Sequence, residues 1–373
     1  MMDKKIKIFF CGDFCSKPST SKITISEELK SLIQSCDLKV VNFEVPLKPD
    51  VALPKQKRER FFQNDDVPDF LRGLGFNLFS LANNHAFDWG DEGFKKTKKV
   101  LSDASFGAGS YEEAYRIKVM EVQGMKIGFM ALSFAAYTGV FDDVSKHDGL
   151  GCAYINDLRV NHDIMGAKKH VDYLFILPHD GIEYIDVPLP ETIARYRDFI
   201  DYGADGVIAA HPHCPQGWEE YKGKPIFYSL GNFLFNSKDT YGFRAKEPHW
   251  YEGLCVVMAI DEGKLTWEVV NTRNEDNVGI KIDHDLARNE NNKQLCQYLK
   301  DEKSCNIYLQ PVLKQQAKAD LQSIKRMFSP KSNKEALKAL WNCLRGRRAA
   351  SIDEFRFMLK NDLKRERIIR FVE

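Results

Sequence analysis

An α/β fold followed by a helical, basic extension is what the sequence predicts, and three observations predict it. Over the first ~270 residues, short β-branched or aromatic runs alternate with polar, helix-compatible segments, the pattern of a layered α/β protein. Carboxylate, amide and imidazole side chains recur directly after the expected strands, where an α/β sheet presents its ligand-binding edge. From about Asn271 the pattern turns polar and helical, and the charge changes sign. Residues 311–373 carry 16 Lys and Arg against 7 Asp and Glu, a net +9, which leaves −8 for the rest of a 373-residue chain of net charge +1.

In chain order, the first strand is expected at residues 6–10, Ile-Lys-Ile-Phe-Phe, and the first helix at 26–35, opened by Ser26 in a capping position. A strand at 39–42 precedes a helix at 68–74, where Pro68 suits a first turn, and a strand at 78–81 precedes a helix at 93–102. The apolar run 126–132 is the next strand, and Asp157 opens a helix over 157–170. A strand at 173–177, a helix at 190–202 opened by Pro190, and strands at 206–210, 226–229, 254–260 and 265–270 complete the body. Nine strands make more than one sheet expected. Helices at 312–328, 333–344 and 351–371 follow, separated by Ser329-Pro330 and Arg345-Gly346. The division expected is a body of residues 1–275 and a helical, basic extension of residues 276–373.

The start carries Lys4, Lys5 and Lys7 and then an apolar run that Asp13 closes too early for a secretion signal, and no stretch approaches the ~20 apolar residues of a membrane span. Nine cysteines without a Cys-x-x-Cys pair fit a reducing compartment and argue against a zinc ribbon. The chain is therefore expected to be soluble and cytoplasmic.

The side chains at the strand ends are Asp13, Glu44, Asn83-Asn84-His85, His179 and His211-Pro212-His213. Any one alone is most simply a turn or helix cap. Together they supply enough oxygen and nitrogen donors for two divalent cations. In His-Pro-His, residues two apart on an extended backbone would point the same way, so a turn is needed to splay them, and Pro212 supplies a fixed φ there.

Gly12-Asp13, Asn42-Phe43-Glu44, Leu81-Ala82-Asn83-Asn84-His85 with Asp88-Trp89-Gly90, and Gly107-Ala108-Gly109 begin an ordered motif series. Pro178-His179-Asp180-Gly181-Ile182-Glu183-Tyr184, His211-Pro212-His213 with Gln216 and Glu219, and Tyr228-Ser229-Leu230-Gly231-Asn232-Phe233 complete it. This series, over about residues 5–260, resembles that of the bacterial CapA (poly-gamma-glutamate capsule biosynthesis) family, which is similar to calcineurin-like metallophosphoesterases. The resemblance implies a four-layer α/β/β/α sandwich of the metallophosphoesterase type, carrying a two-metal centre. By motif, Asp13 would hold one metal and His213 complete that site, Glu44 would bridge both, and Asn84, His179 and His211 would hold the second. Where the wider superfamily has Asp-x-His, this chain has Cys15, so that ligand is either a thiolate or absent. The resemblance places a leaving-group acid at His85, the rival role being structural hydrogen bonding.

Two cations can activate a water and clamp the oxygens of the group attacked. Imidazole suits the acid's task at neutral pH, and Asp88, three residues on, is placed to orient His85. Glu183, Gln216 and Asn232 are candidates to face the metals or substrate, with capping roles the plain alternative for each. Asp180 stands where the family commonly has Trp. Lys57 and Arg58, in the run Lys55 to Arg60 before Phe61 and Phe62, would offer cations to an anionic substrate; a solvated loop face is the alternative.

The extension clusters Arg345, Arg347, Arg348, Lys364, Arg365, Arg367 and Arg370 beside Ile352, Phe355, Leu359, Leu363 and Phe371 at helical spacing, a face for packing on the body or a second copy. Its charge suits an anionic membrane surface or a protein contact, and nothing resembles a sequence-reading nucleic-acid module. The expectation is a hydrolase with two divalent ions (Mn, Fe or Zn) acting on an ester, phosphoester favoured, or an amide. Its substrate would be an anionic small molecule or an envelope polymer. The alternative is a non-catalytic component of capsule, exopolysaccharide or poly-gamma-glutamate biosynthesis machinery. A zinc peptidase is disfavoured because the chain has no His-Glu-x-x-His.

Overall fold

The structure, a computed structural model, describes residues 5–51, 61–135, 139–141, 149–236, 247, 249–275 and 278–328. The strands in chain order are β1 (Ile6–Ser16), β2 (Thr24–Ile25), β3 (Leu38–Phe43), β4 (Leu78–Ser80), β5 (Ser105–Phe106), β6 (Ala108–Gly109), β7 (Lys118–Val122), β8 (Met125–Ser133), β9 (Gly151–Cys152), β10 (Tyr173–His179), β11 (Gly206–Ile208), β12 (Trp218–Tyr221), β13 (Lys224–Phe227), β14 (Asn232–Asn236), β15 (Glu252–Asp261), β16 (Lys264–Glu275) and β17 (Gly279–Ile282). The helices are α1 (Glu27–Gln34), α2 (Val67–Gly73), α3 (Gly90–Leu101), α4 (Tyr111–Ala114), α5 (Leu158–Ala167), α6 (Pro190–Asp201), α7 (Leu286–Leu295) and α8 (Glu302–Phe328).

Two large sheets result. One runs β2-β17-β16-β15-β1-β3-β4-β5, with β14 also pairing with β1, and the other runs β12-β13-β11-β10-β8-β7. The strands that lead into the site, β1, β3 and β4 in one sheet and β10 and β11 in the other, pair in parallel, so their C-terminal ends gather at one edge of each sheet. β1 is buried along nearly its whole length, as a central strand covered on both faces must be, and its apolar residues Ile8 to Cys11 run consecutively instead of alternating.

The sheets meet through aromatic side chains. Phe10 of β1 lies 6.3 Å from Phe129 of β8 and 5.6 Å from Phe175 of β10, centroid to centroid. Leu174 and Ile176, on the other face of β10, pack with Ile193, Tyr196 and Phe199 of α6 and with Leu309 and Leu313 of α8. Leu29 and Ile33 of α1, Leu71 of α2 and Phe94 of α3 belong to the cluster around the first sheet.

Local signals explain the ends of several elements. Ser26 caps α1 by accepting from Leu29 N, and Asp157 caps α5 by accepting from Arg159 N. Three hairpins close on a two-residue turn with positive φ at both positions: Gln123-Gly124 (52° and 83°), Lys222-Gly223 (51° and 75°) and Glu262-Gly263 (49° and 79°). That geometry matches the twist of the flanking strands.

The expected strands and the helices of the body are present, with ends shifted by a few residues. Two expectations need correction. The first sheet extends past the boundary at 275/276, because β17 pairs with β16 and β2. The last described helix does not begin at 312 but runs Glu302–Phe328 through Pro311. The hydrogen bond that proline removes is offset by burial on either side of it, since Leu309 and Leu313 both enter the α6 cluster. Helices expected at 333–344 and 351–371, and the basic residues on them, lie outside the described residues. Among the described residues no helix is long and apolar enough to cross a membrane.

Candidate metal centre

The site forms where the C-terminal ends of β1, β3, β4, β10 and β11 converge. β1 delivers Asp13, which is fully buried and stands in register with Asn42 of β3 on one side and Asn232 of β14 on the other. Reaching that position needs Gly12, because a Cβ there would sit 1.9 Å from the Gly231 carbonyl oxygen. Glu44 follows β3, and Asn83, Asn84 and His85 follow β4. His179 ends β10, and His211 and His213 lie just beyond β11.

The His-Pro-His turn does splay its histidines. His211 has φ +106° and His213 φ +57°, left-handed values that non-glycine residues rarely adopt. Their ring centroids end 5.9 Å apart with the planes at 51°. Strain of this kind concentrates where side-chain placement is the purpose of the backbone.

Asp13, Glu44 and His213 are all buried, and one ligand atom from each lies within 4.8 Å of the others. Glu44 Oε1 is 3.6 Å from His213 Nε2. His213 Nδ1 donates to Asn232 Oδ1 at 3.0 Å, which turns Nε2 towards Glu44. Asn232 also donates to the backbone oxygens of Trp250 (3.0 Å) and His213 (3.4 Å). Of the two places the sequence offered Asn232, beside the metals or beside substrate, the structure shows contact on the side of the first donor group: it is fully buried, and its amide holds His213.

A second group lies beside the first. His179 Nε2 is 2.9 Å from Asn84 Oδ1 and 3.1 Å from His211 Nδ1. Neighbouring ligands about 2.1 Å from a common ion sit roughly 3 Å apart, so these spacings suit a divalent cation. The donor chemistry fits as well: two imidazoles and an amide in one group, two carboxylates and an imidazole in the other, all within reach of manganese, iron or zinc. Burial holds the His179 imidazole well below its ordinary value, reinforced by the positive potential of His211, His213 and His85, so its ring is neutral. Burial pushes the Asp13 carboxyl up to about 7, against hydrogen bonds from Asn42, the His211 backbone and Glu44 that pull it down.

Cys15 is fully buried in an apolar cluster with Val45, Phe61, Phe235 and Trp250. Around His213 the rings of Phe235, Trp250 and Tyr184 lie 5.0, 5.3 and 6.1 Å away.

His85 meets Asp88 as the spacing anticipated, Nδ1 to Oδ2 at 2.9 Å. The same oxygen accepts from Phe61 N at 3.0 Å, and the Phe61 ring packs edge-on to His85 at 5.1 Å. Trp89 Nε1 donates to the Phe61 carbonyl, and Phe62 packs against Trp89. Lys17 and Lys48 lie 5.3 and 5.8 Å from the centre of the Phe62 ring, so cations border this corner. Lys57 and Arg58 lie outside the described residues.

Glu183 is half-buried in the segment after β10, and Asp180 is buried beside it. Gln216 donates to the Ile185 carbonyl, fixing that segment, and Glu219 is held by Arg197 (2.8 and 2.7 Å) and by Tyr228 (2.7 Å).

Asn42 was missed, and Asn83, expected only as one of the strand-end donors, makes hydrogen bonds that link its neighbours. Asn42 Nδ2 donates to Asp13 Oδ1 at 2.7 Å and reaches His179 Nδ1 at 3.1 Å. Asn83 Nδ2 donates to Phe43 O at 3.0 Å and Asn42 Oδ1 at 3.3 Å, while its Oδ1 accepts from His85 N. Asn42 stood in the motif series, and its position beside a donor was its only signal.

Residues 7–237 match the bacterial capsule synthesis protein PGA_cap family, well over half of the chain. The chain belongs to that family. Relatives of this PGA_cap chain include the capsule biosynthesis protein CapA of Bacillus anthracis, 29% identical over 52% of this chain and 49% of the relative. The PGA biosynthesis protein CapA of Bacillus subtilis is 28% identical over 63% of this chain and 64% of the relative. The PGA_cap chain thus spans about half to just under two-thirds of the length of these curated relatives. Among solved structures, a phosphatase from Mycoplasma pneumoniae aligns with 72% of this chain and 94% of its own, at 16% identity and TM-score 0.44. The sulfate thiohydrolase SoxB of Thermus thermophilus aligns with 82% of this chain and 60% of its own, at 10% identity and TM-score 0.40.

Proposed function

We propose that this chain is a metal-dependent hydrolase that cleaves an ester, phosphoester before others, or an amide in an anionic small molecule or cell-envelope polymer. One observation carries the reading: two buried donor groups, Asp13–Glu44–His213 and Asn84–His179–His211, lie side by side, and the buried imidazole of His85, oriented by Asp88, follows Asn84 directly in the chain. In this reading Asp13 and His213 hold one cation, Asn84, His179 and His211 hold another, and Glu44 serves both. Divalent cations bound there would lower the pKa of a water and neutralise charge on the group attacked.

The chain's own residues do the rest. His85, its Nδ1–H held by Asp88, keeps Nε2 for a proton delivered to the leaving group. Asn232 fixes the His213 ring, and the wall of Phe235, Trp250 and Tyr184 excludes water from that side. Lys17 and Lys48 would favour an anionic substrate. The same reading keeps cytoplasmic residence and recruitment through the basic tail as proposals.

The test is metal content together with hydrolysis of a phosphomonoester and phosphodiester panel, for wild type, Glu44→Ala and His85→Ala. About two metals per chain and turnover lost in both variants would support the hydrolase. Metal without turnover would turn the search to amides. A folded, metal-free and inactive wild type would overturn the reading in favour of a second, favoured by the relatives' names: a non-catalytic component of capsule or poly-gamma-glutamate assembly. There Glu44 and His85 variants would keep partner binding.

A further inference from the structure

We infer that Asn42 is a positioning residue that ties the two donor groups together, so that each is held at its working distance from the other. The inference rests on the two-cation reading and deepens it. Asn42 lies at the end of β3, 6% exposed, between the sheets. One hydrogen of its amide goes to Asp13 Oδ1 at 2.7 Å, in the first group, and the other side of the same nitrogen meets His179 Nδ1 at 3.1 Å, in the second. Asp13 and His179 come from different sheets, and Asp13 Oδ1 is 3.8 Å from His179 Nδ1.

An amide nitrogen is suited to this place. It carries no charge, so it adds nothing to the repulsion between neighbouring cations, and its nitrogen donates to Asp13 Oδ1 while lying in contact with His179 Nδ1. A carboxylate would repel Asp13, and a lysine would compete with a metal. The amide's own orientation is fixed from behind: Asn42 Oδ1 accepts from Asn83 Nδ2 at 3.3 Å, Asn83 also donates to Phe43 O, and Asn83 Oδ1 accepts from His85 N at 3.1 Å. The chain of amides therefore runs from the backbone of the proposed acid to a ligand of each group.

Asn232 provides the internal contrast. It touches His213, a member of the first group alone, and otherwise only backbone carbonyls. Loss of Asn42 should weaken both metal sites, whereas loss of Asn232 should weaken one.

The experiment is a Mn2+ binding isotherm on the full chain, with spin coupling between the two ions read by electron paramagnetic resonance. Wild type is compared with Asn42→Leu, which keeps volume without the amide, with Asn42→Ser in case leucine fails to fold, and with Asn232→Leu. Circular dichroism and metal-free melting confirm folding. The expected result is that both binding steps weaken about tenfold or more in the Asn42 variants, with the coupling diminished, and that one step weakens in Asn232→Leu. A folded Asn42 variant whose steps stay within about twofold of wild type, or in which a single step changes, overturns the inference while leaving the two-cation reading intact. Wild type that binds no Mn2+, nor Zn2+ or Fe2+ in its place, overturns that reading itself.

Discussion

Asp88 Oδ2 accepts two hydrogen bonds at once, from His85 Nδ1 at 2.9 Å and from Phe61 N at 3.0 Å. The imidazole and the segment bearing Phe61 and Phe62 are thereby fixed to one carboxylate. Replacing Asp88 by Asn removes the charge that holds the ring. With a hydrolysed phosphoester in hand, kcat should fall about 10- to 100-fold with KM nearly unchanged. Unchanged turnover alongside a lower melting temperature would make the pair purely structural.

Metal removal should be read as lost stability as well as lost turnover. Cations that bind only the folded chain add about 2.7 kcal/mol at a hundredfold excess over Kd. Chelation should therefore lower the melting temperature and Mn2+ should restore it. In Glu44→Gln, which removes a carboxylate of the Asp13–Glu44–His213 group, the restoration should largely vanish; full restoration would argue against Glu44 as a ligand.

Gly12→Ala should be among the most damaging single changes outside the donors. The added methyl would meet the Gly231 carbonyl oxygen, a backbone atom, at 1.9 Å, with Asp13 N already bonded to that oxygen. A loss of about 3 kcal/mol or more, or failure to fold, is expected in denaturant titration. A near-neutral result would show that β1 and residue 231 can separate without harm.

Cations bordering His85 should matter for charged substrates only. Lys17→Ala with Lys48→Ala should raise KM for an anionic substrate roughly tenfold and leave a neutral ester of the same leaving group almost unaffected. Equal effects on both would reassign the lysines to local packing around Phe62.

Glu113 supplies a pH dependence away from the metals. The Lys98 ammonium, 2.8 Å away, and the Ser110 backbone and hydroxyl hold its carboxyl down at about 2, against an ordinary 4.5. A depressed acid contributes stability above its unfolded pKa and loses it as pH falls from about 4.5 to about 2. Because the side chain is 40% exposed, the contribution at neutral pH should be under about 1 kcal/mol. Urea titrations of wild type and Glu113→Gln should differ at pH 7 and converge towards pH 2; a constant difference would assign the effect to the cap alone.

The strands and helices that sequence made legible were those with a strong apolar run or a cap, such as β1, β10 and α6. β7 and β12 were not, because each is a short, partly exposed edge strand whose hairpin closes on Gln-Gly or Lys-Gly, weaker signals than Asn-Gly. β14 was read as a motif, although Asn232–Asn236 is fully buried and parallel to β1. At the site, Asp13, Glu44, Asn84, His179, His211 and His213 were visible because metal-binding types at strand ends are few. Asn42 was not, since one of its partners, His179, lies 137 residues away and shows nothing in local pattern.

β1 has a further consequence, for synthesis. Its antiparallel neighbour is β15, with Ile6 opposite Ile260 and Cys11 opposite Cys255. A strand with the apolar stretch Ile8 to Cys11 thus leaves the ribosome on the order of tens of seconds before that partner exists. During that interval its open edge is a template for pairing with other nascent chains. Yield in the cell should depend on what shields this segment until residue 260 arrives, and slower translation should favour aggregation over a metal centre that no partial chain can assemble.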